Sequence, residues 1–333
     1  MSKPIPILHH YPQSPFSEKV RKVFGYKQLA WHSVQAPPVM PKPDQIALTG
    51  GYRKAPILQI GHDVYCDTKL ICRVLDRLQP ERPLIPPGTE AATLMIERWV
   101  DQTLFFVAVA LFFQPQGLAA FGETLSGGLS IDGFLKDRGA MLAQGGTLPP
   151  PSLEAARAEL PAICASLEAQ LAAKPFLGGD APTQIDFAIY NPFWFIHTNK
   201  GIASELAGYP GLQAWVERML ALGDGPWTAL DGAQAVEQCR ATTGSQPPLP
   251  GAALSLPQAR LGDRVRIGAA DYAPDQVEGE LVIANAFELA VRREDARAGV
   301  VIVHFPPEKT RLRRPTRPGT ALLRRKIPGV RRV

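Results

Sequence analysis

Cysteine is scarce in this sequence, and its spacing excludes the usual cysteine-based sites. The four cysteines form neither a Cys-x-x-Cys pair nor the ligand spacing of a zinc site: Cys66, Cys72, Cys164 and Cys239. The N-terminus also lacks the long apolar stretch of a signal peptide. We therefore expect reduced, buried thiols, no bound metal and a cytoplasmic protein.

Long apolar runs are missing as well. The longest covers ten residues, 104–113, which is too short to cross a bilayer and is typical of a buried helix. With 45% hydrophobic residues and a mean hydropathy of -0.05, the chain has the composition of a soluble protein with a sizeable core. Its 333 residues predict two or three domains. Because the longest apolar run is so short, we expect no membrane association.

Acidic residues are absent from residues 309–333, which hold ten of the 36 Lys and Arg residues. The first 308 residues therefore carry 26 basic and 31 acidic residues, a net charge of −5. The basic pI of about 9.0 is a property of this tail, so the body of the protein gives no reason to expect nucleic-acid binding. The tail has no aromatic side chain for base stacking, and we interpret it as a solvated, mobile terminus. Contact with nucleic acid or an anionic surface remains the alternative.

Strand and helix signals alternate in residues 4–82. A short apolar run at residues 5–8 precedes Ser14-Pro15, a strong helix start because serine caps a helix and proline is tolerated at its first position. Further strands are predicted near 31–34, 55–60 and 64–65, and a helix begins at Asp67-Thr68. This order, β-α-β followed by β-β-α, predicts a thioredoxin-like layer.

The remainder of the chain divides by its periodicity. Residues 90–240 predict an all-helical domain, although the Gly-rich stretch 117–147 gives no clear pattern. Residues 241–258 are rich in Pro, Gly and Ser and predict a linker. Within 259–308, four runs alternate with period two and predict a small antiparallel sheet or an SH3-like barrel: 263–267, 277–284, 287–293 and 299–305.

Five segments resemble, in the same order, motifs of the serine-type glutathione S-transferases, notably the tau and zeta classes: residues 14–21, 54–58, 66–71, 175–186 and 209–215. The resemblance covers roughly residues 5–225 and departs from the family at Ala55 and Asp67, where a larger β-branched residue and a glutamate are commoner. It implies a thioredoxin-like domain followed by an all-α domain. It also implies glutathione as co-substrate, a small hydrophobic electrophile as second substrate, a role in detoxification, and a homodimer.

Ser14 is the residue that the resemblance assigns to catalysis. A serine hydroxyl can donate a hydrogen bond to the glutathione thiolate, and the N-terminus of a helix also favours negative charge. The alternative is that Ser14 only caps the helix, and one hydroxyl can do both. Because Ser14 and Ser17 stand where redox relatives carry cysteines, no mixed disulfide can form here. Thiolate addition or isomerisation is therefore expected rather than disulfide exchange.

The other residues implied to bind glutathione are Lys42, Ala55, Pro56, Asp67 and Thr68. Ala55, before a proline that the resemblance makes cis, is expected to pair its backbone with the cysteinyl part of the ligand. Asp67 and Thr68 are expected to receive its γ-glutamyl end, and Lys42 its glycyl carboxylate. The alternatives are a second helix cap for Asp67 and Thr68 and a solvated surface lysine for Lys42.

An electrophile pocket is expected from four side chains: Tyr11, Gln102, Phe105 and Phe106. Core packing is the alternative for the two phenylalanines. Thr183 and Asp186 have capping-box spacing and are interpreted as structural, as are His9, His10 and His304. A second function stays open, a non-catalytic interaction protein that uses the β region or the basic tail, because transferase-like folds host such roles.

Overall fold

The computed structural model describes residues 4–125, 129–143, 150–271 and 275–313. Within these residues ten strands form one sheet in the order β10-β6-β7-β8-β9-β4-β3-β1-β2-β5. The strands are Ile7–His10 (β1), Trp31–Gln35 (β2), Ile57–Ile60 (β3), Asp63–Cys66 (β4), Trp227–Ala229 (β5), Arg264–Ala269 (β6), Gln276–Ala284 (β7), Leu289–Asp295 (β8), Gly299–Phe305 (β9) and Thr310–Arg313 (β10).

Helices pack against both faces of the N-terminal strands and form most of the middle part of the chain. They are Pro15–Lys27 (α1), Pro43–Thr49 (α2), Thr68–Leu78 (α3), Glu90–Trp99 (α4), Phe105–Phe112 (α5), Pro115–Gly122 (α6), Ile131–Ala143 (α7), Leu153–Leu171 (α8), Gln184–His197 (α9), Pro210–Leu220 (α10) and Gly232–Ala241 (α11). A π-helical turn, Val100–Leu104, joins α4 to α5, and a short 3-10 turn, Pro307–Lys309, precedes β10.

The first four strands form the predicted thioredoxin-like layer. β1 lies parallel to β2 and antiparallel to β3, and β3 and β4 form a hairpin. Every residue of β1, β3 and β4 is buried, because α1 and α3 cover one face of the sheet while α2 and α11 lie against the other. Both faces of these strands are therefore covered, as in parallel sheets packed between helices.

The predicted helical domain is confirmed for α4 to α10, and its central helix α9 begins at the expected capping box. Its predicted end at residue 240 is wrong, because β5 pairs with β2 and α11 packs against the sheet. Asp186 is fully buried, and its carboxylate accepts hydrogen bonds from the backbone of Thr183 and from Leu177 at 2.6 Å. It also accepts from the indole of Trp215 on α10 at 3.1 Å. Thr183 and Asp186 are structural, as the spacing predicts.

The four alternating runs after residue 259 are strands, and they form an open antiparallel sheet rather than a barrel. This sheet continues the first one, because β9 lies parallel to β4 with Tyr65 opposite His304. Its apolar side chains pack against α2 and α11, in a core that includes Leu48, Val236 and Val303. The C-terminal strands share this core with the N-terminal domain.

The boundary expected at residue 309 is wrong for 309–313, since β10 pairs with β6. Residues 314–333 lie outside the described part. The segment 241–258 contains one isolated bridge, Ala253 to Asn285, which is consistent with a connector. All four cysteines are buried free thiols.

No single helix in the described residues is long and apolar enough to span a membrane. One bent pair, Glu90–Phe112 with Pro115–Gly122 at 82°, satisfies length and composition only when the two are taken together.

Candidate functional site

Ser14 lies at the start of α1, with its side chain facing a cavity. Its hydroxyl accepts a hydrogen bond from the backbone N–H of Ser17 at 3.1 Å, so the predicted cap exists. Within the described residues this hydroxyl donates to no protein group, which leaves its proton available for a ligand. Ser14 is 1% exposed, and the hydroxyl therefore reaches solvent only through the cavity.

This main cavity, of about 120 Å³, lies between the thioredoxin-like layer and the helical domain. Four residues singled out from the sequence line it: Ser14, Tyr11, Phe105 and Phe106. The wall from the helical domain is dominated by apolar side chains: Val109, Phe112, Phe113, Phe121, Phe134, Met141, Leu142 and Phe195. Such a wall suits an apolar, flat ligand group beside a polar residue.

Basic side chains line the opposite part of the main cavity: Lys42, Arg53, Lys54 and Arg138. Lys42 is 4% exposed, and its ammonium donates to the carbonyl of Arg53 at 2.9 Å. Burial and, to a smaller extent, the nearby charge of Arg138 together lower the pKa of Lys42 to about 7, against the opposing effect of Asp137. Lys42 is therefore not the solvated surface lysine of the alternative interpretation.

A second, smaller cavity of about 40 Å³ lies beside the first. It is lined by Pro56, Asp67 and Thr68, and Ala55 lines both cavities. The Ala55-Pro56 peptide bond is cis, as the resemblance implies. The five residues expected to bind glutathione thus lie along one continuous path, with Lys42 at one end and Thr68 at the other.

Asp67 has an unusual backbone conformation, with a φ of 77°. Such positive values are uncommon outside glycine and concentrate at functional sites. Its carboxylate accepts from the backbone of Lys69 at 2.9 Å, so the capping interpretation is also correct. The same carboxylate lies 3.2 Å from the ammonium of Lys309, which lies 2.5 Å from Asp101.

Two family profiles match the sequence at the two domains that build this site. "Glutathione S-transferase, N-terminal domain" matches residues 8–83, and "Glutathione S-transferase, C-terminal domain" matches residues 150–218. The chain is also similar to the crystal structure of a GST-like protein from Pseudomonas syringae, with 37% sequence identity and a TM-score of 0.77. That match covers 95% of this chain and 100% of the other. The chain belongs to the glutathione S-transferase superfamily.

More distant structures match about two thirds of the chain, with TM-scores below 0.5. The β-etherase LigF from Sphingobium sp. strain SYK-6 is 19% identical with a TM-score of 0.46, covering 65% of this chain and 95% of its own. Rice GST1 in complex with glutathione is 19% identical with a TM-score of 0.41, covering 65% and 88%. Among curated proteins, none matches the sequence significantly.

One residue expected in the electrophile pocket does not line the main cavity. Gln102 is exposed, and its side-chain oxygen accepts from Arg98 at 3.3 Å. In a regular α-helix Gln102 would share a face with Phe105 and Phe106. The π-helical turn Val100–Leu104 changes that phase, because it contains more residues per turn.

The sequence analysis did not identify several residues that the fold brings to the site: Arg53, Lys54, Asp101, Arg138, Asp271 and Lys309. Arg138 lies on α7, within the Gly-rich stretch that gave no clear pattern, and donates to the hydroxyl of Tyr11 at 3.2 Å. Lys54 is adjacent to the Ala55-Pro56 motif, which was its only available signal. Asp271 lies between β6 and β7, Lys309 lies in the 3-10 turn before β10, and neither carried a signal.

The histidines next to the site are structural, as expected. His9 bonds to Gln59 and His10 to Ser33, and burial lowers their pKa values to about 4 and about 3. Both rings are therefore neutral near pH 7. Within the described residues no group of three His, Cys, Asp or Glu side chains has the geometry of a metal site.

Proposed function

We propose that this chain is a glutathione-dependent transferase in which the Ser14 hydroxyl stabilises the thiolate of bound glutathione. The observation that carries the proposal is the meeting of two cavities at Ala55, with Ser14 on one side and Asp67 and Thr68 on the other. An extended tripeptide thiol fits this arrangement, since its cysteinyl backbone can pair with Ala55 while its two ends lie in different cavities.

The thiolate is stabilised in this proposal by two effects of the same helix end. The Ser14 hydroxyl donates a hydrogen bond to sulfur while it accepts from Ser17, and the N-terminal dipole of α1 favours negative charge. A larger thiolate fraction at neutral pH follows, and the thiolate is the reactive nucleophile. Asp67 and Thr68 receive the γ-glutamyl end, and Lys42 receives the glycyl carboxylate.

The second substrate in this proposal is a small hydrophobic electrophile held by the apolar wall of the main cavity. The rings of Phe105 and Phe106 are in edge contact, with centroids 5.7 Å apart. The ring centroid of Phe16 lies 4.7 Å from that of Phe105. An aromatic electrophile stacked there comes close to a thiolate at Ser14. Conjugation of such compounds is the chemistry of detoxification, and we propose that it takes place in the cytoplasm.

Replacement of Ser14 by alanine tests this proposal. Ser14→Ala is expected to reduce turnover at least about tenfold and to raise the pKa of the bound thiol, with glutathione affinity nearly unchanged. The ultraviolet absorbance of the thiolate, titrated with pH, measures the second effect. Ser17→Ala is the matched control, because its hydroxyl is buried one turn away without a hydrogen-bond partner. Equal turnover in Ser14→Ala and wild type would exclude the assigned role.

A non-catalytic interaction protein is the alternative function. Its specific support is the position of Lys309, which occupies space beside Asp67 that a ligand would need. Calorimetric titration with glutathione separates the two proposals, since the interaction protein binds none at millimolar concentration.

We further propose a homodimer, as is usual in this family. Helix α4 presents three apolar side chains to solvent, Leu94, Met95 and Trp99, and Met95 is 67% exposed. Sedimentation of wild type and Met95→Glu at matched concentration tests this, with a shift toward monomer expected for the variant. A monomeric wild type would contradict it.

A further inference from the structure

Lys309, in the 3-10 turn before β10, lines the smaller cavity. The ammonium of Lys309 lies between two carboxylates, 2.5 Å from Asp101 and 3.2 Å from Asp67. Asp101 belongs to the π-helical turn and Asp67 to the start of α3. Lys309 is therefore a cation that the chain itself supplies to the place where the γ-glutamyl ammonium of glutathione is expected.

The backbone around Lys309 is fixed by the sheet and by neighbouring side chains. Its carbonyl accepts from the backbone of Ala270 at 2.8 Å, and β10 begins at the next residue. The carboxylate of Glu308 lies 2.5 Å from the ammonium of Lys69, on the first turn of α3. Contacts of the preceding residue and the start of β10 thus fix the position of Lys309.

The electrostatics of this cluster favour the charged forms of Lys309 and Asp67. Burial lowers the pKa of Lys309, but the carboxylates of Asp101 and Asp67 outweigh it and raise the pKa well above that of a free lysine. For Asp67, burial raises the pKa, whereas Lys309 and the backbone N–H of Lys69 lower it below the ordinary value. The remaining space of about 40 Å³ is enough for a few water molecules.

We propose that Lys309 is a specificity-determining residue that takes the place of a ligand ammonium between Asp67 and Asp101. The site consequently favours thiol ligands whose corresponding end carries a carboxylate without an adjacent positive charge. A ligand ammonium would approach Lys309 closely, and two like charges at that distance repel. A ligand carboxylate, in contrast, faces Lys309, Thr68 and the N-terminus of α3. This inference rests on the proposed function, which puts the γ-glutamyl end here.

Two ligands that differ only in the ammonium test the inference. Glutathione and glutaryl-cysteinyl-glycine share the thiol and both carboxylates, but the second lacks the α-amino group. Calorimetry on the full chain gives both dissociation constants. Wild type is expected to bind the glutaryl compound at least as tightly as glutathione. In Lys309→Met, the affinity for glutathione relative to that for the glutaryl compound is expected to be at least threefold higher than in wild type.

Arg311→Met is the matched control, because it removes one positive charge two residues further along the chain, at an exposed position of β10. It is expected to keep the wild-type ratio. A wild type that prefers glutathione, or a ratio shifted less than threefold in Lys309→Met, overturns the inference while glutathione binding stands. If neither compound binds wild type, the proposed function fails and this inference with it. The wild-type comparison decides alone if Lys309→Met does not fold.

Discussion

Nε2 of His304 lies 2.9 Å from Oδ1 of Asp63, across the junction between the N-terminal and C-terminal strands. The other ring nitrogen of His304 lies 3.3 Å from Glu288, and the ring stacks on Tyr65 with centroids 4.3 Å apart. All these groups are almost completely buried. The contact joins β9 to β4 by charge and ring stacking as well as by backbone pairing.

Loss of the His304 ring is therefore expected to destabilise the protein strongly. His304→Leu leaves the carboxylates of Asp63 and Glu288 buried without their shared partner, which costs about 3–5 kcal/mol of unfolding free energy. Chemical denaturation measures the change. His32→Leu is the control, since His32 is only half-buried and bonds to Thr228. A loss below about 1 kcal/mol in His304→Leu would contradict this role.

The same contact predicts a pH dependence of stability. Burial lowers the pKa of His304, but its bonds to Asp63 and Glu288 outweigh burial and raise it above the ordinary value. A raised pKa contributes stability that is complete below about pH 6.5 and is lost as the pH rises through the folded-state value. The stability difference between wild type and His304→Leu should therefore shrink with rising pH. A difference that grows with pH would contradict this assignment.

Lys42 predicts a pH dependence of ligand binding. Its pKa of about 7 means that the side chain loses its charge in the neutral range. The affinity for S-methylglutathione, whose sulfur does not titrate, should fall as the pH rises above about 7, because the ligand carboxylate loses a cation. The Lys42→Arg variant should keep its affinity for S-methylglutathione at high pH. The Lys42→Met variant should bind this ligand weakly at every pH. Parallel pH profiles for wild type and Lys42→Arg would exclude the role of Lys42.

The positive charge of Arg138, on α7, is expected to lower the pKa of Lys42. After burial, its positive charge is the largest cause of the lowered pKa of Lys42. Arg138→Met should raise that pKa, so the midpoint of the S-methylglutathione profile moves to higher pH. Arg157→Met, which removes a more exposed charge paired with Glu205, should leave the midpoint in place. A downward shift in Arg138→Met would show that Arg138 acts on the ligand instead.

Replacement of Asp186 is expected to destabilise the fold strongly without a direct effect on the site. Asp186→Ala leaves the buried N–H groups of Leu177, Thr183 and Trp215 without their acceptor, at about 1–3 kcal/mol each. Thermal unfolding should therefore occur at a much lower temperature. Asp180→Ala, at an exposed position six residues earlier, is the control. Equal unfolding temperatures for the two variants would contradict the buried-cap role.

The elements that could be predicted depend on interactions between near neighbours. Ser14-Pro15 and Thr183 to Asp186 signal helix starts because a cap bonds within three residues. The period-two runs after residue 259 signal strands because alternate side chains point to opposite faces. These local signals predicted both helix starts and strands β1 to β4 and β6 to β9, but neither β5 nor β10. The resemblance predicted the order of the site residues.

The joining of the two sheets and the completion of the site were decided by tertiary structure alone. Lys309 and Asp67 are 242 residues apart, and no periodicity carries information on which strand lies beside β4. The burial of Lys42 and the approach of Arg138 likewise depend on how α7 packs over the cavity. Sequence thus determined the helix start at Ser14, because a cap bonds within three residues, whereas only packing brought Lys309 to the smaller cavity.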